Sequence, residues 1–123
     1  MTARGDWRNS IADAHAIAAP LRAVVTDAHA GALSPTASFI EASPREFVLS
    51  AIKPAEDGKG VIVRDHNLGD EAVDTRIKVR RKFARAARVN LNEEEIAPAE
   101  LNDGSEVVLQ VRAKEIVTLK FEP

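Results

Sequence analysis

The stretch SFIEASPREFVLSAIKPAEDGKGVIVRDHN, residues 38–67, decides the fold of this chain. Residues 46–53 (EFVLSAIK) are nearly all apolar and rich in β-formers, which predicts a strand buried on both faces. Asp57-Gly58 is a strong hairpin signal, and residues 60–66 then resume a strand pattern. Together with a short strand over residues 38–42, the stretch predicts three strands joined by turns.

The strand pattern continues towards the C-terminus. Residues 71–79 alternate between apolar and polar side chains, as in an antiparallel strand with one face in solvent. The alternation returns over residues 85–91, 105–112 and 115–121, and a weaker strand is predicted over residues 21–26. About seven or eight short strands at this spacing predict an all-β fold, an antiparallel β-sandwich of the immunoglobulin-like type.

Residues 1–20 differ from the rest because alanine dominates them. Asn9 or Ser10 is a suitable cap for a short helix through IADAHAIAA, which Pro20 would end. We therefore divide the chain into an N-terminal arm or short helix, residues 1–20, and a sandwich domain, residues 21–123. Trp7 is the expected anchor of the arm, since one large side chain dominates such a contact.

The composition limits the classes of function. At 123 residues with 45% hydrophobic and 29% charged residues, the chain suits one globular domain. A net charge of -2 gives no global attraction to nucleic acid or to an anionic membrane. Cysteine is absent, which excludes disulfides and thiolate metal sites. We expect a cytoplasmic protein without nucleic-acid or membrane partners.

Two groups of residues are candidates for a site. The first is a basic run over residues 76–88, in which an anion patch would include Arg76, Lys78, Arg80 and Arg81. The simpler interpretation is the solvent face of a strand and a charged hairpin tip. The second group consists of interface or anchor residues, namely Trp7, Phe39, Arg64 and Asn67.

Arg64 is unusual because it follows three apolar residues on a strand that otherwise reads as buried. Two interpretations are open: a guanidinium that pairs with a carboxylate across an interface, or an arginine at a strand end that reaches solvent. The three histidines, His15, His29 and His66, lack the spacing of zinc ligands, so we expect no metal site. No pattern of catalytic residues is recognisable, and none is assigned.

The segment FVLSAIKPAEDGKGVIVR, residues 47–64, resembles the C-terminal β-sandwich region of glycoside hydrolase family 38 α-mannosidases. In that family a strand of the type VVLSALKKAEDG precedes a second strand that ends in arginine. SFIEASP, VNLNEEEIAPAEL and VRAKEIVTLKFEP are similar to flanking parts of the same region, so the resemblance extends over roughly residues 19–121. Asp65-His66-Asn67 departs from the Leu-Tyr type sequence that is common after the arginine.

The resemblance implies a parent enzyme that hydrolyses α-mannosides with retention, using zinc and an aspartate nucleophile in an N-terminal barrel. This chain has no counterpart of those residues, so we expect a non-catalytic accessory domain without a cofactor of its own, excised or encoded as a fragment. Its partners would be the upstream catalytic and sandwich domains. When isolated, it would expose an apolar patch or a strand edge and self-associate.

Two other functions remain open. A stand-alone carbohydrate-binding module would need exposed aromatic platforms, and aromatics make up only 4% of the chain. An interaction domain that uses the basic strand of residues 76–88 would bind an acidic partner, with strong dependence on salt.

Overall fold

The computed structural model describes Gly5 and residues 7–123, apart from the side chain of Asn9, and the chain divides into two compact units, Met1–Ala37 and Ser38–Pro123. In the first unit, a 3-10 helix, Trp7–Ser10, leads into helix α1, Ile11–Ala18. The predicted short helix is therefore confirmed, although the Ser10 side chain at the N-cap makes no capping hydrogen bond.

The strand predicted over residues 21–26 is wrong, because these residues have no regular secondary structure. Their apolar side chains Leu21, Val24 and Val25 are almost fully exposed. A β-rich run forms a strand only when a neighbouring strand and an apolar surface accept it. The composition of residues 21–26 alone was therefore not sufficient to predict a strand.

The second unit is an antiparallel sandwich of eight strands in two sheets, which confirms the predicted all-β fold. The smaller sheet has the order β1-β4-β7, and the larger has the order β2-β3-β8-β5-β6. The strands are β1 (Ile40–Ser43), β2 (Phe47–Pro54), β3 (Val61–Asn67), β4 (Val73–Val79), β5 (Arg85–Val89), β6 (Glu95–Ala99), β7 (Glu106–Val111) and β8 (Ile116–Glu122).

The core lies between the sheets. Its fully buried members come from both sheets and include Val63, Ile77, Val107, Leu119 and Phe121. Because side chains alternate across a strand, β3 directs Val63 and every second residue from it towards this core. The intervening Ile62 belongs to a separate cluster with Ala55, Ala87 and Val89 on the outer face of the larger sheet. Strand β3, an inner strand of the larger sheet, therefore has buried residues on both faces.

Strand β2 corrects one prediction. It was expected to be buried on both faces, but it is the edge of the larger sheet, and its residues alternate between partly buried and exposed. Ile52, for example, is 51% exposed. The apolar run of the sequence reflects packing near the sheet end, where Phe47 is buried, rather than full enclosure.

Strand β6 was not predicted, because it contains Pro98 and begins with Glu95. Proline cannot donate to a β-ladder, so it is tolerated mainly at sheet edges. β6 is the second edge of the larger sheet, paired only with β5, and Pro98 stands opposite Ala87. Leu91, which the alternation placed on the apolar face of the preceding strand, lies beyond the end of β5 and is 65% exposed.

The hairpin between β2 and β3 packs closely on β8. Gly60 has φ of +123°, and a Cβ atom there would lie 2.1 Å from the Phe121 carbonyl oxygen. Only glycine permits this approach. The turn is also fixed by an ion pair between Lys53 Nζ and Glu93 Oε1, 2.7 Å apart, which ties the hairpin to the β5–β6 connection.

Candidate functional site

The basic run of residues 76–88 separates into residues with carboxylate neighbours and residues without them. Arg76 pairs with Glu106, and Arg88 pairs with Glu115. Arg85 pairs with both Glu95 and Glu122. Lys78 stands opposite Glu41 on one side and Glu106 on the other. Three of the seven basic residues in the run are therefore paired with carboxylates of the sandwich itself.

The connection between β4 and β5 behaves differently. Arg80, Arg81 and Lys82 are exposed there, and among the residues that the structure describes none of the three forms an ion pair. The predicted patch of Arg76, Lys78, Arg80 and Arg81 thus divides into two strand residues that stand beside carboxylates and two cations at a loop. The sequence pattern did not separate these halves, because the carboxylates come from β1 and β7.

An apolar slot lies beside these two cations. Its cavity of about 180 Å³ is lined by Phe39, Ile40, Val61, Val79 and Phe83, with Arg80 and Arg81 as the two polar lining residues. Phe39 remains 64% exposed. The slot therefore brings the predicted anchor residue Phe39 together with both loop arginines.

Phe83 fixes one wall of the slot. Its ring centre lies 5.5 Å from that of buried Phe121, in a tilted arrangement that aromatic pairs favour. The Arg81 guanidinium carbon lies 5.6 Å from the Phe83 ring centre, which is within cation–π range. A backbone hydrogen bond from Arg80 N to Phe39 O, 2.9 Å, joins the opposite wall to the basic loop. The slot is thus built on supported side chains.

Arg64 lies on the outer face of the larger sheet, with its side chain half-buried. Its Nε donates a hydrogen bond to Thr118 Oγ1 on β8 at 3.0 Å, and its carbonyl oxygen accepts one from Ser50 Oγ at 3.0 Å. Within the described residues the guanidinium makes no ion pair. The guanidinium is therefore held across the sheet by Thr118.

Asn67 is a fully buried hydrogen-bonding centre. Its Nδ2 donates to the carbonyl oxygens of Glu71 at 2.9 Å, Arg112 at 2.9 Å and Val111 at 3.3 Å. Its Oδ1 accepts from Gly69 N at 2.8 Å. Since Asn67 ends β3 of the larger sheet and Val111 ends β7 of the smaller one, this side chain fastens the two sheets together. That position is internal to the domain.

Asp65 is the least expected group in the core. It is fully buried, and neither carboxylate oxygen has a hydrogen-bond partner among the described residues. Its strand neighbours in register are Leu49 and Val117. Burial raises the pKa of Asp65 to about 7, because the charged form loses its hydration. Strand side chains alternate with a period of two, which places Asp65 on the same face as Val63. This alternation is the sequence signal from which the burial of Asp65 could have been predicted.

The pKa of the Glu115 carboxyl is shifted in the opposite direction, below its usual value. Arg112 donates to it from both its backbone N, 2.8 Å, and its side chain, 3.1 Å, and Arg88 donates from Nη2 at 2.6 Å. Hydrogen bonds from Arg112 and then Arg88 outweigh burial and lower the pKa of Glu115 to about 2. This carboxylate is ionised at neutral pH and fixes the β7–β8 connection.

Trp7, the remaining candidate, belongs to the first unit. It is 56% exposed, and the guanidinium carbon of Arg8 lies 5.2 Å from its ring centre.

His66 and Asp65, adjacent in sequence, point to opposite faces of β3. Over Gly5 and residues 7–123, the structure contains no group of three or more metal-ligating side chains. In the same part of the chain, helices fall short of the length and apolar content needed to cross a bilayer.

Comparison with known proteins supports the resemblance seen in the sequence. Residues 46–119 match the glycosyl hydrolases family 38 C-terminal beta sandwich domain. The matched range begins just before β2 and ends within β8, so it covers β2 to β7 in full and the first part of β8, and it leaves out β1. No curated protein matches the chain. With more than half of its length matched, the chain belongs to the glycosyl hydrolase family 38 C-terminal β-sandwich domains.

Proposed function

We propose that this sandwich is a non-catalytic accessory domain of an α-mannosidase, which supports a separate zinc-dependent catalytic barrel and packs against the upstream domains of that enzyme. Family membership supports the hydrolase context. The observation that carries the supporting role is the state of Arg64. This residue of the family-like segment is oriented on the outer sheet face and has no carboxylate partner among the described residues.

The geometry of Arg64 favours pairing with a carboxylate of a neighbouring domain. A guanidinium presents donors in a planar fork that matches a carboxylate, and the resulting bidentate pair is stronger than a single neutral hydrogen bond. The bond to Thr118 uses Nε, and within the described residues the two terminal nitrogens make no hydrogen bond or ion pair. Because the side chain is already ordered, docking costs less side-chain entropy than it would for a free arginine.

In this proposal the chemistry belongs to the barrel. Zinc and the nucleophile would be supplied there, and the sandwich would add rigid contact surface and stabilise the barrel by binding its folded state. The isolated 123-residue chain should then neither hydrolyse 4-nitrophenyl α-mannoside nor change its melting temperature when a chelator is added. Hydrolysis by the isolated chain would refute the proposal. Saturable binding of mannosides to it would instead support a carbohydrate-binding module.

The role of Arg64 is tested in the intact parent α-mannosidase. Arg64→Gln should lower the temperature of half-inactivation while leaving the KM for the mannoside unchanged, since domain docking is weakened and the substrate site is not. Arg45→Gln is the matched control, because Arg45 is exposed in the β1–β2 turn and has no ion pair within the described residues. Equal effects of the two substitutions would contradict a docking role for Arg64.

A further inference from the structure

The apolar slot and the basic loop beside it form a surface that the supporting role does not require. Five of the seven lining residues are apolar, and the cavity measures about 180 Å³. A dry apolar cavity of about 150 Å³ is large enough to hold benzene. The slot therefore has room for one phenyl or isobutyl group, such as the side chain of phenylalanine or leucine.

Exposure of Phe39 shows what an occupant would gain. This aromatic side chain is 64% exposed although it borders the apolar walls formed by Val79 and Phe83. Covering apolar surface of this kind is favourable, in proportion to the area removed from water. The opposite wall is already ordered by the contact of Phe83 with Phe121, so insertion needs little rearrangement.

The charge at the mouth of the slot selects the occupant. Arg80, Arg81 and Lys82 follow one another in the chain, all three are exposed, and none has an ion-pair partner among the described residues. Close cations of the same sign repel one another, so carboxylates brought to this loop gain attraction and relieve that repulsion. A basic or neutral segment would lack this gain.

We propose that the slot binds an extended acidic polypeptide segment. One phenylalanine or leucine side chain of the segment enters between Phe39 and Phe83, and carboxylates on either side of it pair with Arg80 and Arg81. This inference depends on the slot alone and stands apart from the α-mannosidase role.

The test uses the full 123-residue chain and a fluorescein-labelled peptide, EDEFEDE, in fluorescence anisotropy. Two control peptides are matched to it: EDEAEDE removes the aromatic ring, and KRKFKRK reverses the flanking charge. We expect EDEFEDE to bind at low salt, and each control peptide to bind at least roughly tenfold more weakly, as expected for the loss of about 1.4 kcal/mol. Binding of EDEFEDE should weaken as NaCl is raised to 0.3 M.

Variants of the chain locate the binding. The double substitution Arg80→Glu/Arg81→Glu and the single substitution Phe39→Ala should each weaken binding of EDEFEDE at least roughly tenfold. Arg45→Glu makes the same kind of charge change at the far end of β1 and should leave binding unchanged. All replaced side chains are exposed, so folding is preserved, and circular dichroism checks it.

Three results would overturn the proposal. Equal binding of EDEFEDE and EDEAEDE would show that the slot is not used. Equal losses in the Arg45→Glu and Arg80→Glu/Arg81→Glu variants would show a nonspecific charge effect. Self-association that the double substitution abolishes and that EDEFEDE cannot compete with would identify a second copy of the chain as the occupant.

Discussion

Replacing Asp65 by leucine should stabilise the sandwich above pH 7. Asp65 is fully buried between Leu49 and Val117 of the adjacent strands, and its carboxylate has no hydrogen-bond partner among the described residues. Leucine has the same branched side-chain shape and needs no hydrogen-bond partner, so the replacement removes the cost of an isolated buried charge.

The magnitude follows from the pKa. Burial raises the pKa of Asp65 from 3.8 to about 7. At about 1.4 kcal/mol per pKa unit, ionisation costs the folded state about 4 kcal/mol relative to the unfolded chain. The folded state holds this proton more tightly, so stability is greatest where Asp65 is protonated in both states, below about pH 4. It then falls as the pH rises from about 4 to about 7.

Urea denaturation at several pH values, followed by far-ultraviolet circular dichroism, tests this prediction. We compare the free energy of unfolding of Asp65→Leu with that of the wild type. The difference in favour of Asp65→Leu should be about 4 kcal/mol larger at pH 8 than at pH 4. Asp65→Asn should lose the same pH dependence while keeping an unpaired polar group. A difference between Asp65→Leu and the wild type that does not change from pH 4 to 8 would refute the reasoning.

Three further predictions concern the stability of the sandwich in urea. Asn67→Ala should cost about 3 kcal/mol or more, because it leaves buried carbonyl oxygens and an N–H group without partners; a loss below about 1 kcal/mol would contradict this. Gly60→Ala should cost about 3 kcal/mol or more through its clash with Phe121 O, against about 1 kcal/mol for Gly58→Ala, where φ is also positive but space is open; equal losses would rule out the clash. Glu115→Gln should lower the free energy of unfolding by about 1 kcal/mol at pH 7, after allowance for the solvent exposure of Arg112. Because the pKa of the Glu115 carboxyl is lowered in the folded state, this loss should vanish as the pH falls from about 4.5 to 2. A loss that persists at pH 2 would contradict the ion-pair origin.

Much of the fold could be predicted because local signals and packing agree in it. The Asp57-Gly58 turn and the alternation of Val73 to Val79 specify hairpins and strand faces without reference to distant residues. The strand predicted over residues 21–26 failed because its pattern has no packing surface, and β6 was missed because Pro98 is a strand breaker except at an edge.

The candidate site was less accessible to sequence reasoning. Phe39 and Arg80 are 41 residues apart in the chain, and only the pairing of β1 with β4 brings them to one slot. Likewise, Asn67 was expected at an interface, whereas its acceptors include Val111 and Arg112, more than 40 residues away. Long-range register determines both arrangements, and one sequence does not reveal it.

The side chain of Asn67 has a mechanical consequence for the sandwich. It fastens the sheets at one end of β3, while Val61 at the other end lines the slot. Val61 and Asn67 are six positions apart along the strand, which is about 20 Å. Because Asn67 ties the two sheets at its end of the strand, we expect opening fluctuations to be larger at the slot end than at Asn67. A polypeptide segment bound in the slot would hold the two sheets together at the slot end. When the segment dissociates, that end would be the first to open.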